Sequence, residues 1–240
     1  MYFYILFKGE KSININMPYD KIEEITIDTF SDLVYEVETR KKPFIVRNFH
    51  LINLDWVQFS NSLNQEPEVF GYYETTKWDT IYSNGNEVLD LFLKEELKMN
   101  IVDAPVTVNN FLSPEWSKYA DQKLGENSNY SATYILTNKN KLTLYHTDPP
   151  YAGGYMYLKE GYKTWYCINP DDWNHIQSHS ISRDDLINLS DDDIERLSNN
   201  YLTNKICKNY LSSNDFIWFP IDTLHKVTTE KNSWGIGGYL

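Results

Sequence analysis

The sequence predicts one α+β domain, helical at first and then mainly β, closing into a barrel or sandwich core. Three observations predict this. The chain has 240 residues, a length that a single β-rich domain fills comfortably. Up to about residue 129 apolar side chains recur at helical spacing, whereas from Tyr130 onward short apolar runs alternate with turn residues. Helices followed by many short strands is the order of an α+β fold. Residues 1–129 are therefore expected to buttress a core formed by residues 130–240.

The elements follow in chain order. Tyr2–Phe7 reads as a strand, because it is too short for the apolar part of a signal peptide and no basic residue precedes it. Thr29 to Lys42 reads as a helix capped by Asp28 or Thr29, with Phe30, Leu33, Val34 and Val37 on one face and Pro43 ending it. Phe44-Ile45-Val46 is then a buried strand. Glu87–Met99 is a second amphipathic helix. Ser113-Pro114-Glu115 opens a third, with proline at the first helical position. Short strands are expected at Ala132–Leu136, Lys141–Tyr145, Tyr155–Leu158, Thr164–Ile168, Phe216–Phe219, Lys226–Thr229 and Gly235–Tyr239. Asp171–Asn209 reads as an insertion among them, its segment Arg183–Asn199 acidic and helical.

Composition excludes several classes. The 22 basic and 34 acidic side chains leave a net charge of −12, which suits a basic protein or peptide partner and disfavours nucleic acid. Two cysteines, Cys167 and Cys207, rule out a disulfide scaffold and a cysteine-rich zinc site, and fit a reducing compartment. No apolar run approaches the ~18–20 residues of a membrane span. An intracellular protein without a membrane segment is expected.

Of the five histidines, His146 is the informative one. In Tyr145-His146-Thr147-Asp148-Pro149 the imidazole and the carboxylate are two residues apart, so on a strand both point to one face. Two histidines and one carboxylate on one side of a metal form the facial triad of non-haem Fe(II) oxygenases. The best second histidine is His225, at a strand-turn-strand corner between Asp215–Pro220 and Lys226-Val227-Thr228. His175 and His179 have the i,i+4 spacing of a helical metal site but no carboxylate in the matching pattern. His50 follows a core strand and reads as structural. Lys163 begins an aromatic, apolar strand, where an amine is costly unless an anion pairs with it; a lysine whose stem lies along the surface is the plainer reading.

These pieces together resemble the Jumonji-C (JmjC) family of Fe(II)/2-oxoglutarate-dependent oxygenases. The resemblance covers Lys42–Arg47 and then residues 134–240, about half of the chain. Its ordered elements are Thr143 with His146-x-Asp148, Gly161-x-Lys163-x-Trp165 with Lys163 seventeen residues after His146, Pro170, Phe219-Pro220 to His225-x-Val227, and Gly237-Gly238-Tyr239-Leu240.

The resemblance implies a double-stranded β-helix (cupin or jelly-roll) core. It implies His146, Asp148 and His225 as ligands of Fe(II), and Lys163 and Thr143 as the residues holding the distal carboxylate of 2-oxoglutarate. O2 would be the second cosubstrate. Simple alternation does not put Thr143 on the face of His146, so a local bend is expected. Asn100 sits where some lysine demethylases of the family have an asparagine on the cosubstrate; a turn asparagine is the plainer reading. Tyr151, Tyr155, Tyr157 and Trp165 are candidates for a substrate pocket. One departure stands out: ten residues after the first histidine several relatives carry Asn or Tyr, and this chain carries Met156.

The expected activity is hydroxylation of a protein or peptide side chain. N-methyl-lysine demethylation by the same chemistry is the alternative, since the motif does not choose the carbon to be oxidised. A non-protein substrate such as a tRNA base runs against the acidic charge. A catalytically silent cupin scaffold would not need the intact ligand set, and a cupin enzyme that is not an oxygenase would not need Lys163 with Thr143.

Overall fold

The computed structural model describes residues 19–72, 80–106, 111–150, 152–177 and 205–240. Among them the chain is mixed α/β, with one large sheet of nine strands and few helices. The expected strand at Tyr2–Phe7, the acidic helix within 183–199, Tyr151 and His179 lie outside the described residues.

Side chains at their first turns start the helices. α1 (Phe30–Thr39) opens at Thr29, whose hydroxyl accepts from the Asp32 amide while the Asp32 carboxylate accepts from the Thr29 amide. This capping box satisfies two of the amides that a helix start leaves unpaired. α1 ends three residues short of the expected Lys42: Arg40 is already extended, with ψ of 143°. α2 (Trp56–Gln65) is capped by Asp55 and has no counterpart in the sequence reading. α3 (Gly85–Leu93) is capped by Asn84 and is shorter than the expected helix to Met99. Glu95 adopts a left-handed φ of 58°, and the Leu97 amide then donates to Asn138 Oδ1 at 2.9 Å, so the chain leaves the helix to join the sheet. α4 (Pro114–Leu124) has Ser113 as its cap and proline in its first turn, as the sequence predicts. A 3-10 turn (Gly125–Ser131) leads into the sheet, and α5 (Pro170–Gln177) opens the segment read as an insertion.

The strands are β1 (Glu23–Ile25), β2 (Phe44–Val46), β3 (Val69–Tyr72), β4 (Thr80–Ser83), β5 (Ile101–Pro105), β6 (Thr133–Thr137), β7 (Lys141–His146), β8 (Gly154–Ile168), β9 (Ile206–Ser212), β10 (Asp215–Phe219) and β11 (Leu224–Tyr239). β3 and β4 form a separate hairpin. Four of the strands expected from sequence are two: β8 and β11 each run unbroken through what reads as a turn. Within β8, Gly161 has φ of 127°, and a Cβ there would overlap Ser233 of β11. Register shifts between Thr229 and Gly235 accompany it, so the paired strands bend together without separating.

That bend gives the sheet two halves. In one, β10, the start of β8, the end of β11, β6 and β5 lie side by side, with β2 and β1 beyond β10. In the other, β9, the end of β8, the start of β11 and β7 do so. Ile45, Ile135, Met156, Leu158 and Ile217 of the first half meet Trp165, Cys167, Leu211 and Val227 of the second in one buried cluster. On the opposite face of the first half, Tyr134, Tyr155, Tyr157, Phe216 and Trp218 pack against Leu33, Phe59, Val88 and Trp116 of the helices. The alternation of a strand produces both faces at once. Among the described residues no helix is long and apolar enough to cross a membrane.

Candidate metal centre and its cavity

The paired ends of β7 and β11 build the centre. His225 and His146 are direct cross-strand partners, with ring centroids 4.1 Å apart. Asp148, two residues beyond His146, brings Oδ1 to 3.5 Å from His146 Nε2 and 3.7 Å from His225 Nε2. One ligand atom from each residue lies within 4.8 Å of the others, so the group could hold a single metal ion.

Both rings are oriented by the backbone. His146 Nδ1 is 2.7 Å from the Leu144 carbonyl and His225 Nδ1 is 3.0 Å from the Thr223 carbonyl. A carbonyl only accepts, so each Nδ1 carries the proton and each Nε2 keeps its lone pair for a metal. Burial pushes the His225 pKa down to about 4, partly opposed by its bond to Thr223. The ring is therefore neutral at physiological pH, the form that ligates. His225 also stacks on Trp165 at 26° and 5.3 Å and touches the Phe219 ring. Gly154 makes room on the other side: a Cβ there would lie 2.7 Å from Asp148 Oδ2.

The centre opens into a narrow cavity of about 50 Å3, lined by Thr143, Lys163, Trp165 and Val227 from one half of the sheet and by Thr133, Ile135, Met156 and Gly237 from the other. Strand register orders one wall. His225 pairs with Cys167, Val227 with Trp165 and Thr229 with Lys163, and each two-residue step is about 7 Å. Lys163 thus lies about 13 Å along the strands from the histidine. It is 2% exposed, and its ammonium donates to Thr229 Oγ1 at 2.8 Å. Burial lowers its pKa to about 7, and the charge of Glu230 opposes that only in part.

Thr143 reaches this cavity through an irregularity. From His225 to Val227 β11 advances two residues, while β7 advances three from His146 to Thr143. The extra residue in β7 is a bulge, and it turns Thr143 onto the face of His146. Asn100 does not line the cavity. It is buried behind Thr143, with Nδ2 3.4 Å from Thr143 Oγ1. Tyr155 borders the cavity, but its hydroxyl donates to the Ser131 carbonyl. Tyr157 points into the helix-side core and donates to Asn214 Oδ1. His175 is exposed on α5, and exposed His50 lies 3.2 Å from the Asp28 carbonyl.

Sequence reasoning did not single out Thr229 or Thr133. Thr229 was accessible from alternation, since His225, Val227 and Thr229 share one face of β11. Thr133 carries no motif at all. Away from the triad the walls carry the Lys163 amine, the Thr143 and Thr133 hydroxyls and the Trp165 N–H. Thr133 Oγ1 and Trp165 Nε1 are buried with no hydrogen-bond partner. Such donors, spaced away from a metal triad, fit an anionic ligand rich in oxygen. Comparison with protein-family models and with curated proteins finds no match.

Proposed function

We propose that this chain is an Fe(II)- and 2-oxoglutarate-dependent oxygenase of JmjC type, built as one domain on a double-stranded β-helix core and hydroxylating a protein or peptide side chain. One observation carries the reading: a facial His146, Asp148, His225 group and a buried lysine end the same narrow cavity. A triad alone fits many metals. A triad with a lone buried amine about 13 Å down the strands fits a metal bound together with a dicarboxylate.

The residues divide the work. His146, Asp148 and His225 would hold the iron from one side and leave its other positions open. Bound iron and 2-oxoglutarate together would supply the oxidising chemistry with O2. Lys163 would take up a proton as the distal carboxylate arrives, turning a costly buried amine into half of an ion pair. Thr143, held from behind by Asn100, would donate its hydroxyl to that carboxylate. Val227, Ile135, Met156 and Phe219 would keep water from the cavity. The net charge of −12 favours a basic protein or peptide as substrate.

Anaerobic titration with Fe(II) and 2-oxoglutarate tests the reading through the iron-to-keto-acid absorption band. Wild type should show the band and His146→Ala should lack it while remaining folded. A folded wild type without the band overturns the assignment. Mass spectrometry of peptide substrates then separates gain of oxygen from loss of methyl.

A further inference from the structure

Thr133 and Trp165 line the cavity from opposite halves of the sheet, and Thr133 Oγ1 and Trp165 Nε1 are both buried without a partner. Register places them at the same depth. On one wall Trp165 is two residues from Cys167, the cross-strand partner of His225. On the other wall Gly154 borders the Asp148 carboxylate, and Met156 is two residues on. Met156 pairs with Gly237, and Gly237 pairs with Thr133. Both donors therefore sit about 7 Å below the metal centre, midway to Lys163. Between Met156 and Thr133 the sheet carries only the hydrogen of Gly237.

A buried hydroxyl without a partner costs about 1–3 kcal/mol. Valine would fill the same space without that cost. The pattern makes sense if a ligand supplies the acceptor. Building on the function proposed above, we propose that Thr133 binds the oxo acid directly: its hydroxyl donates to an oxygen of bound 2-oxoglutarate, facing the Trp165 indole N–H across the cavity. The polar contact that Met156 cannot make comes from two strands away. Thr133 and Trp165 thus add recognition at mid-depth to the charge at the Lys163 end.

Calorimetric titration of 2-oxoglutarate into Mn(II)-loaded protein tests this without turnover. Thr133→Val should weaken binding between about tenfold and a hundredfold, the range for a hydrogen bond to a charged group. Its melting temperature without the acid should stay level or rise. Thr133→Ser, which keeps the hydroxyl, should bind as wild type does. A valine variant that binds equally, or a serine variant as weak as the valine one, overturns the assignment of Thr133 alone. If the valine variant does not fold, Thr133→Ser against Thr133→Ala carries the same comparison. A folded wild type that binds no 2-oxoglutarate overturns the proposed function, and this assignment with it.

Discussion

Replacing Lys163 by methionine should make the ligand-free protein more stable. The amine is 2% exposed and donates to the neutral Thr229 hydroxyl. Burial carries its pKa from an ordinary 10.5 to about 7. At about 1.4 kcal/mol per pH unit, that disfavours the charged form inside the fold by on the order of 5 kcal/mol. The unfolded chain holds the proton up to pH 10.5, the folded chain only to about 7. Between those values the unfolded state binds more protons, so stability rises with pH across the window and is lost as pH falls towards 7.

At pH 7 a side chain that never ionises avoids on the order of 4 kcal/mol of this cost. Stranding the Thr229 hydroxyl returns about 1 kcal/mol. A net gain of about 3 kcal/mol corresponds to a rise of about 6–12 °C in melting temperature for a chain of this size. Calorimetry at pH 7, repeated to pH 10, measures both the rise and the slope. Lys163→Met should melt higher and lose the upward slope of the wild type, while no longer binding 2-oxoglutarate. A variant that melts lower at pH 7, or that keeps the slope, would refute the claim that the cost of burying this amine outweighs the opposing charge of Glu230.

The remaining predictions concern the approach to the metal and the frame around it. Gly154→Ala places a methyl 2.7 Å from Asp148 Oδ2 and into the Phe219 ring, so the carboxylate must move. Metal affinity, followed by Mn(II) titration, should fall at least tenfold in a folded protein, and an unchanged affinity would show that the carboxylate is not held by this contact. Asp215 accepts from Arg47, from the Ser212 amide and hydroxyl, and from the Asn48 amide, joining the end of β2 to β9 and β10. Asp215→Ala should cost about 3–5 kcal/mol of stability, the loss expected when one partner of a buried pair is removed. Denaturant melts measure that loss, and the metal stoichiometry of the folded fraction should stay at one.

Much of the scaffold was legible because its signals are local. Thr29 and Ser113 cap helices through side chains acting within three residues of themselves. The buried run Phe44-Ile45-Val46 has an apolar pattern that suits only a covered strand. His146 and Asp148 share a face because strand alternation has a period of two. Each of these follows from a few consecutive residues.

Tertiary structure decided what depends on residues far apart in the chain. Lys159-Glu160-Gly161 is polar and contains glycine, the mark of a turn. Pairing of β8 with β11 on one side keeps the strand continuous through it, because the sheet satisfies its backbone groups. The bulge that turns Thr143 toward His146 exists only once β7 is in register with β11. The pairing of His225 with His146, 79 positions apart, makes a metal site from two histidines that sequence could name but not join. Thr133 shows the limit most plainly. A threonine in an apolar strand has nothing local to distinguish it, and its unpartnered hydroxyl is a property of the cavity that the opposite half of the sheet closes over it. What consecutive residues can satisfy, the sequence determined; the emptiness between two walls belongs to the fold.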